Sequence, residues 1–104
     1  MTYRRLLGRD GFRVMEAASR AYALEALTRE PFALVIADIR LPDGDGLDVV
    51  RKACTRPRPT PAIVVSGFPS TAARTAAREA GAAEFFAKPF EAAVLAARVR
   101  ELTC

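Results

Sequence analysis

The stretch LVIADIRLPDGDGL, Leu34–Leu47, limits the fold more than any other part of the chain. Leu34–Ala37 is wholly apolar, which suits a strand buried on both faces or a piece of buried helix. The turn-rich DIRLPDGDG that follows favours the strand. Asp38 stands where the apolar run stops. The carboxyl end of a buried parallel strand is the rim at which open α/β sheets carry their chemistry. Strand, turn and charge alone leave two readings open: a site carboxylate, or a turn cap that pairs with a cation.

The flanking segments repeat the pattern. Thr2–Arg9 reads as a short helix with Leu6 and Leu7 inward, and Phe12–Met15 as a short β-prone segment after Gly11. Ser19 is expected to cap a helix over Arg20–Arg29, with Ala23, Leu24 and Leu27 on its apolar face and Pro31 beyond its end. After Pro42, Gly44 and Gly46 a helix begins near Asp45 or Gly46. Its acidic first turn suits the helix dipole, and Leu47, Val50 and Cys54 share one face. Three prolines make Thr55–Pro61 an extended connection. Ala62–Val65 is a second apolar run, ending in Ser66-Gly67.

Ser70 or Thr71 caps a helix bearing the small-residue stripe Ala73, Ala76, Ala77 and Ala80, and Gly81 suits its C-terminal cap. Glu84–Ala87 reads as a strand followed by Lys88-Pro89, and the last helix covers about Phe90–Leu102. Strands alternating with helices imply a parallel sheet covered by helices. Right-handed crossovers then place the functional strand ends on one edge. A carboxylate (Asp38), a hydroxyl (Ser66) and an ammonium (Lys88) converge there, which favours a site over a mere cap.

The 104 residues suffice for one small domain. With no His, a zinc site is disfavoured, and histidine acid–base chemistry and Ser-His-Asp catalysis are excluded. Cys54, on a helix, and Cys104, on a free tail, read as ordinary thiols. The formal charge is +4, but the arginines are scattered and not interleaved with aromatics, so a nucleic-acid partner is disfavoured. No apolar run has the length of a bilayer span, and the N-terminus is not a secretory signal, so the expected location is cytoplasmic, with no membrane partner.

Three motifs, DIRLPDGDGL at Asp38–Leu47, IVVSG at Ile63–Gly67 and GAAEFFAKPF at Gly81–Phe90, resemble in order and spacing the receiver domain of bacterial two-component response regulators. The resemblance runs from about Gly11 to Leu102. It implies an α/β, flavodoxin-like (CheY-like) parallel sheet with helices on both faces. It implies a phosphorelay component, not an enzyme, that accepts a phosphoryl group on Asp38 from a histidine kinase or phosphotransfer protein and signals through protein contacts. Lys88 would neutralise the phosphoryl oxygens, and Ser66 would donate a hydrogen bond to one of them. Phe85, three residues before the lysine, would be the aromatic that follows Ser66 inward. Lys88-Pro89 would be a cis peptide.

The resemblance also implies Mg²⁺, held by Asp38, by the backbone carbonyl of Arg40 and by an acidic pair that ends the family's first strand. This sequence has no such strand or pair. Asp10 would lie in a loop on the opposite edge of the sheet and takes no metal role. The expectation is therefore a weak metal site, about four strands in a single domain spanning 1–104, and no output domain. One alternative is a phosphorylation-incompetent receiver used as an interaction module. Another is a small basic nucleic-acid binder on a flavodoxin-like scaffold. In the family the first strand lies between the segments equivalent to Phe12–Met15 and Leu34–Ala37. Its loss leaves roughly 9.6 Å, two interstrand spacings, to be closed. Direct pairing of Val14 and its neighbours with Leu34–Ala37 is the expected closure in a stable monomer; self-association by pairing with another copy, and poor folding, are the other outcomes.

Overall fold

The computed structural model describes residues 3–103. Met1, Thr2 and Cys104 lie outside them, so the helix start at Thr2 and the Cys104 tail are not addressed. The helices are α1 (Tyr3–Gly8), α2 (Arg20–Arg29), α3 (Leu47–Cys54), α4 (Thr71–Ala80) and α5 (Ala92–Thr103). The strands are β1 (Val35–Asp38), β2 (Arg40–Leu41), β3 (Gly44–Asp45), β4 (Ala62–Ser66) and β5 (Glu84–Ala87). The main sheet is three-stranded and parallel in the order β1-β4-β5, while β2 and β3 form a separate small antiparallel hairpin.

β4 is central, and all five of its residues are buried. Because successive side chains alternate faces, Ala62 and Val64 join a cluster with Ala37, Leu47, Val50, Ala77 and Ala80, under α3 and α4. Ile63 and Val65 join Leu7, Leu95 and Val99 on the other face, under α1 and α5. α2 packs on α3 through Leu27, Val49 and Ala53.

The caps follow local chemistry. Ser19 Oγ accepts from the Tyr22 N–H and Ser70 Oγ from the Ala73 N–H, each satisfying a helix-end donor. Gly81 ends α4 with φ of 104°, where an L-residue would be strained. α3 begins at Leu47, whose N–H is taken by Asp45 Oδ1 at 2.8 Å.

Two expectations need correction. Phe12–Met15 is not a strand, so the main sheet has three strands rather than about four. Nor does Val14 pair with β1. The Phe12 N–H is tied back to the Leu7 carbonyl, and Phe12 and Val14 pack on the cluster under α1 and α5. The segment is thus anchored away from the sheet. Phe12, Val14 and Ile36 are only half-buried, so water reaches the open edge and spares its backbone groups the full penalty of dry burial.

One helix cap comes from far along the chain. Asp43, in the β2–β3 turn, accepts the backbone N–H groups of Arg20 and Ala21 at 2.7 and 3.0 Å. Arg20 Nε in turn donates to Asp48 at 2.8 Å. The Asp43 carboxyl is held below its ordinary range chiefly by the N–H of Ala21 and then that of Arg20. Asp48 is held down chiefly by the hydrogen bond from Arg20. Both native values lie below the unfolded one, so their contribution is present above about pH 4 and is lost as pH falls through the native values. Urea midpoints should therefore drop below about pH 4, and Asp43→Ala should flatten that dependence. An unchanged pH profile in Asp43→Ala would reject the assignment.

Candidate functional site

Register assembles the site. Asp38 lies opposite Val65, one residue before Ser66, and Ser66 lies opposite Ala87, one residue before Lys88. The three polar residues therefore meet at the carboxyl edge of the sheet. Lys88 Nζ donates to Asp38 Oδ2 at 2.5 Å, and the Arg40 backbone N–H donates to Asp38 Oδ1 at 3.2 Å. Neither charged side chain is dry: Asp38 is 34% and Lys88 42% exposed. The bond to Asp38 raises the Lys88 ammonium above its ordinary value, against a smaller opposing effect of burial. An ion pair this exposed adds under about 1 kcal/mol to stability. The Lys88-Pro89 peptide is cis.

Ser66 is buried, and its Oγ accepts from the Phe68 N–H at 3.1 Å. The Ser66 carbonyl accepts from the Lys88 N–H at 2.8 Å, but its hydroxyl makes no hydrogen bond to the Asp38 or Lys88 side chain among the described residues. Its hydroxyl proton is left for a further acceptor. Phe85 sits on β5, half-buried against the cluster under α3 and α4, with the Arg74 guanidinium 4.7 Å from its ring centre. Arg40 stacks over the exposed Phe68 ring at 4.2 Å, joining the loops that follow β1 and β4. Asp10 is turned to Arg100 at 2.8 Å.

Sequence reasoning missed two members of this neighbourhood. Tyr3 lies close enough to feel both charges: burial raises its phenol first, Lys88 works against this, and Asp38 adds to it. The helical spacing of Tyr3, Leu6 and Leu7 was the available signal. Gly46 packs against the backbone of Asp38 so closely that any side chain would collide with it. Only the three-dimensional path of the loop reveals that contact.

The donors fit Mg²⁺ poorly. Both Asp38 oxygens already accept hydrogen bonds, and no cluster of three or more acidic, Cys or His side chains occurs among the described residues. The Gly46 N–H bonds the Ile39 carbonyl across the hairpin, which makes Arg40 and Asp45 the non-hydrogen-bonded pair. The Arg40 carbonyl is thus outside the ladder, but one carboxylate and one carbonyl fall short of an octahedral oxygen shell without heavy reliance on water.

The chain's relationships agree with this layout. The family model for the response regulator receiver domain matches residues 1–100. The KDP operon transcriptional regulatory protein KdpE of Escherichia coli is 41% identical over 92 residues, covering 88% of this chain and 40% of that protein. The curated relatives it matches are much longer, and the chain spans 21% to 40% of their length. A CheY-like receiver domain from Methanospirillum hungatei superposes with a TM-score of 0.87 at 28% identity, covering 94% of this chain and 78% of that one. The receiver domain of a sensor histidine kinase from Pseudomonas aeruginosa, solved with magnesium coordinated in its active-site cleft, gives 0.83 at 26%, covering 95% and 83%. No helix among the described residues is long and apolar enough to cross a membrane. With the parallel sheet, the edge carboxylate and the lysine after the last strand in place, these matches identify the chain as a member of the response regulator receiver domain family of two-component signalling.

Proposed function

We propose that Asp38 is the phosphoacceptor of this receiver domain, serving a histidine kinase or phosphotransfer protein as donor. The observation that supports this most is the Lys88 ammonium seated on Asp38 Oδ2, at a strand edge where Ser66 ends the neighbouring strand. An Asp38 carboxylate oxygen attacks phosphorus, the bond from phosphorus to the donor atom breaks, and the donor leaves with its electron pair. Such transfers depend mainly on positioning and charge neutralisation. Lys88 brings a mobile point charge with three donors to the phosphoryl oxygens. Ser66 donates its free hydroxyl proton to one of them, and Phe85 is the aromatic whose packing responds. The product is a modified protein that signals through its surface, not a released substrate.

Intact-mass measurement after incubation with acetyl phosphate tests this. A single phosphoryl mass gain is expected, absent in Asp38→Asn. In Lys88→Ala the rate of this gain should fall about 100-fold, the low end of the loss expected when a charge-stabilising donor is removed. Labelling that persists in Asp38→Asn would refute the assignment.

The poor magnesium donor set favours a second reading, a receiver that is used without phosphorylation as a protein-interaction module. Absence of any label from acetyl phosphate or from a phosphorylated histidine donor would support it.

A further inference from the structure

Charge at the site balances one for one as it stands, with the Lys88 ammonium on the Asp38 carboxylate. A phosphoryl group raises the negative charge there to about two. A second cation is then needed within reach of the phosphoryl oxygens. The donors around Asp38 fit Mg²⁺ poorly, which turns attention to the side chains of the same loops.

Arg40 stands nearest in the chain. It lies two residues past Asp38, and its backbone N–H already donates to Asp38 Oδ1 at 3.2 Å. Arg20 and Arg51, the cations close to the same hairpin, are both paired with Asp48. The Arg40 guanidinium has no carboxylate partner among the described residues and rests on the Phe68 ring, 4.2 Å from its centre. Phe68 lies two residues past Ser66, and its N–H donates to Ser66 Oγ at 3.1 Å. Asp38 is in register with Val65, and the Ile39 N–H bonds the Val65 carbonyl, so the two chains leave the sheet side by side. The stack thus joins the loop of the carboxylate to the loop of the hydroxyl. A ring face attracts the charge without consuming N–H donors, so the five of Arg40 stay available to an anion. The ring is 67% exposed, and a cation held at so wet a site is held weakly enough to swing.

We propose that Arg40 is a second phosphoryl-binding cation of this site, held ready on Phe68 and supplying charge that a divalent ion would otherwise bring. The inference rests on the reading of Asp38 as the phosphoacceptor. With acetyl phosphate as donor, an Asp38 oxygen attacks phosphorus, the bond from phosphorus to the acetyl oxygen breaks, and acetate leaves with the electron pair. Lys88 takes the phosphoryl charge from one side as a point charge, and the Arg40 fork takes it from the other through paired N–H donors. No proton moves to or from Arg40, because a guanidinium keeps its charge throughout.

Timed intact-mass spectra with acetyl phosphate in EDTA test this. The parent should take the label. Arg40→Ala should take it about 100-fold more slowly, the low end of the loss when a charge-stabilising donor is removed. Arg40→Lys keeps the charge without the fork and should fall between the two. Phe68→Ala separates charge from loop joining: it removes the ring but leaves the guanidinium, so its rate should stay much nearer the parent's than that of Arg40→Ala. By NMR the Arg40 Nε–H resonance should shift as the label accumulates and stay in place in Asp38→Asn. Equal rates for Arg40→Ala and the parent, equal losses in Arg40→Ala and Phe68→Ala, or a resonance that ignores the label would overturn the inference and leave Asp38 as acceptor. So would a parent that takes label only when Mg²⁺ is added. Label that persists in Asp38→Asn, or a parent that takes none with or without Mg²⁺, rejects the Asp38 reading and this inference together.

Discussion

Gly46→Ala should cost this domain more than about 3 kcal/mol, beyond the usual range for overpacking. A Cβ at this position would stand 1.7 Å from the Asp38 carbonyl oxygen, 2.8 Å from the Asp38 carbonyl carbon and 3.3 Å from the Ile39 Cα. Backbone torsion is not the reason: φ of −64° and ψ of −18° suit any L-residue. The obstacle is main chain, which cannot swing aside as a flexible side chain can. Asp38 and Ile39 are held by the β1–β4 ladder and the Ile39 N–H bond to Val65, and the Gly46 N–H binds the Ile39 carbonyl at 2.7 Å. Relief would push the end of β1 off the sheet and carry Asp38 away from Lys88. For a domain of this size the melting temperature should fall by about 12 °C or more. Gly67→Ala is the control, since a Cβ there meets nothing within 4 Å. A Gly46→Ala protein within about 1 kcal/mol of the parent would show that the loop yields and the argument fails.

Magnesium should have little hold on the chain as it stands. Loss of second-shell groups alone typically weakens a metal site about 10- to 100-fold. Here the ligand shell itself is deficient: no cluster of three or more acidic, Cys or His side chains occurs among the described residues, and Lys88 is already on Asp38. Mg²⁺ affinity should be at least about 100-fold below that of a receiver with an acidic pair. Labelling of Asp38 by acetyl phosphate should be correspondingly slow and nearly independent of Mg²⁺. Titration calorimetry and timed intact-mass spectra, run beside a receiver that carries the pair, would measure both. Rapid, complete, Mg²⁺-dependent labelling would mean that other oxygens complete the shell.

The features legible in the sequence were those fixed by local chemistry or by parallel topology. Ala62–Val65 is apolar throughout because β4 is covered on both faces, and Leu34–Ala37 is apolar for a related reason. Ser19, Ser70 and Gly81 cap helices with atoms from their own turn, so sequence position sufficed. Asp38 and Lys88 meet because both follow parallel strands of one sheet. Phe12–Met15 misled because β-propensity measures fitness for a pleated surface, not whether a neighbour is within reach. The capping of α2 by Asp43 needed the loop's path in space. So did the Ser66 hydroxyl, which turned to the Phe68 N–H.

The central position of β4 bears on how the chain assembles. Val35 reaches Ala62 and Ile63 reaches Glu84, each across a single helical crossover, so the whole sheet closes through short-range loops of the chain. α1 touches this body chiefly through α5, at the far end of the sequence. Loop closure of that span must await a formed sheet and α5. Folding should therefore nucleate on β4 with its flanking strands, with Val64→Ala slowing refolding, while Leu7→Ala mainly hastens unfolding. The amino-terminal helix should then dock last and leave first, so that opening begins beside β1, where Tyr3 and Leu7 face Val35 and Ile36.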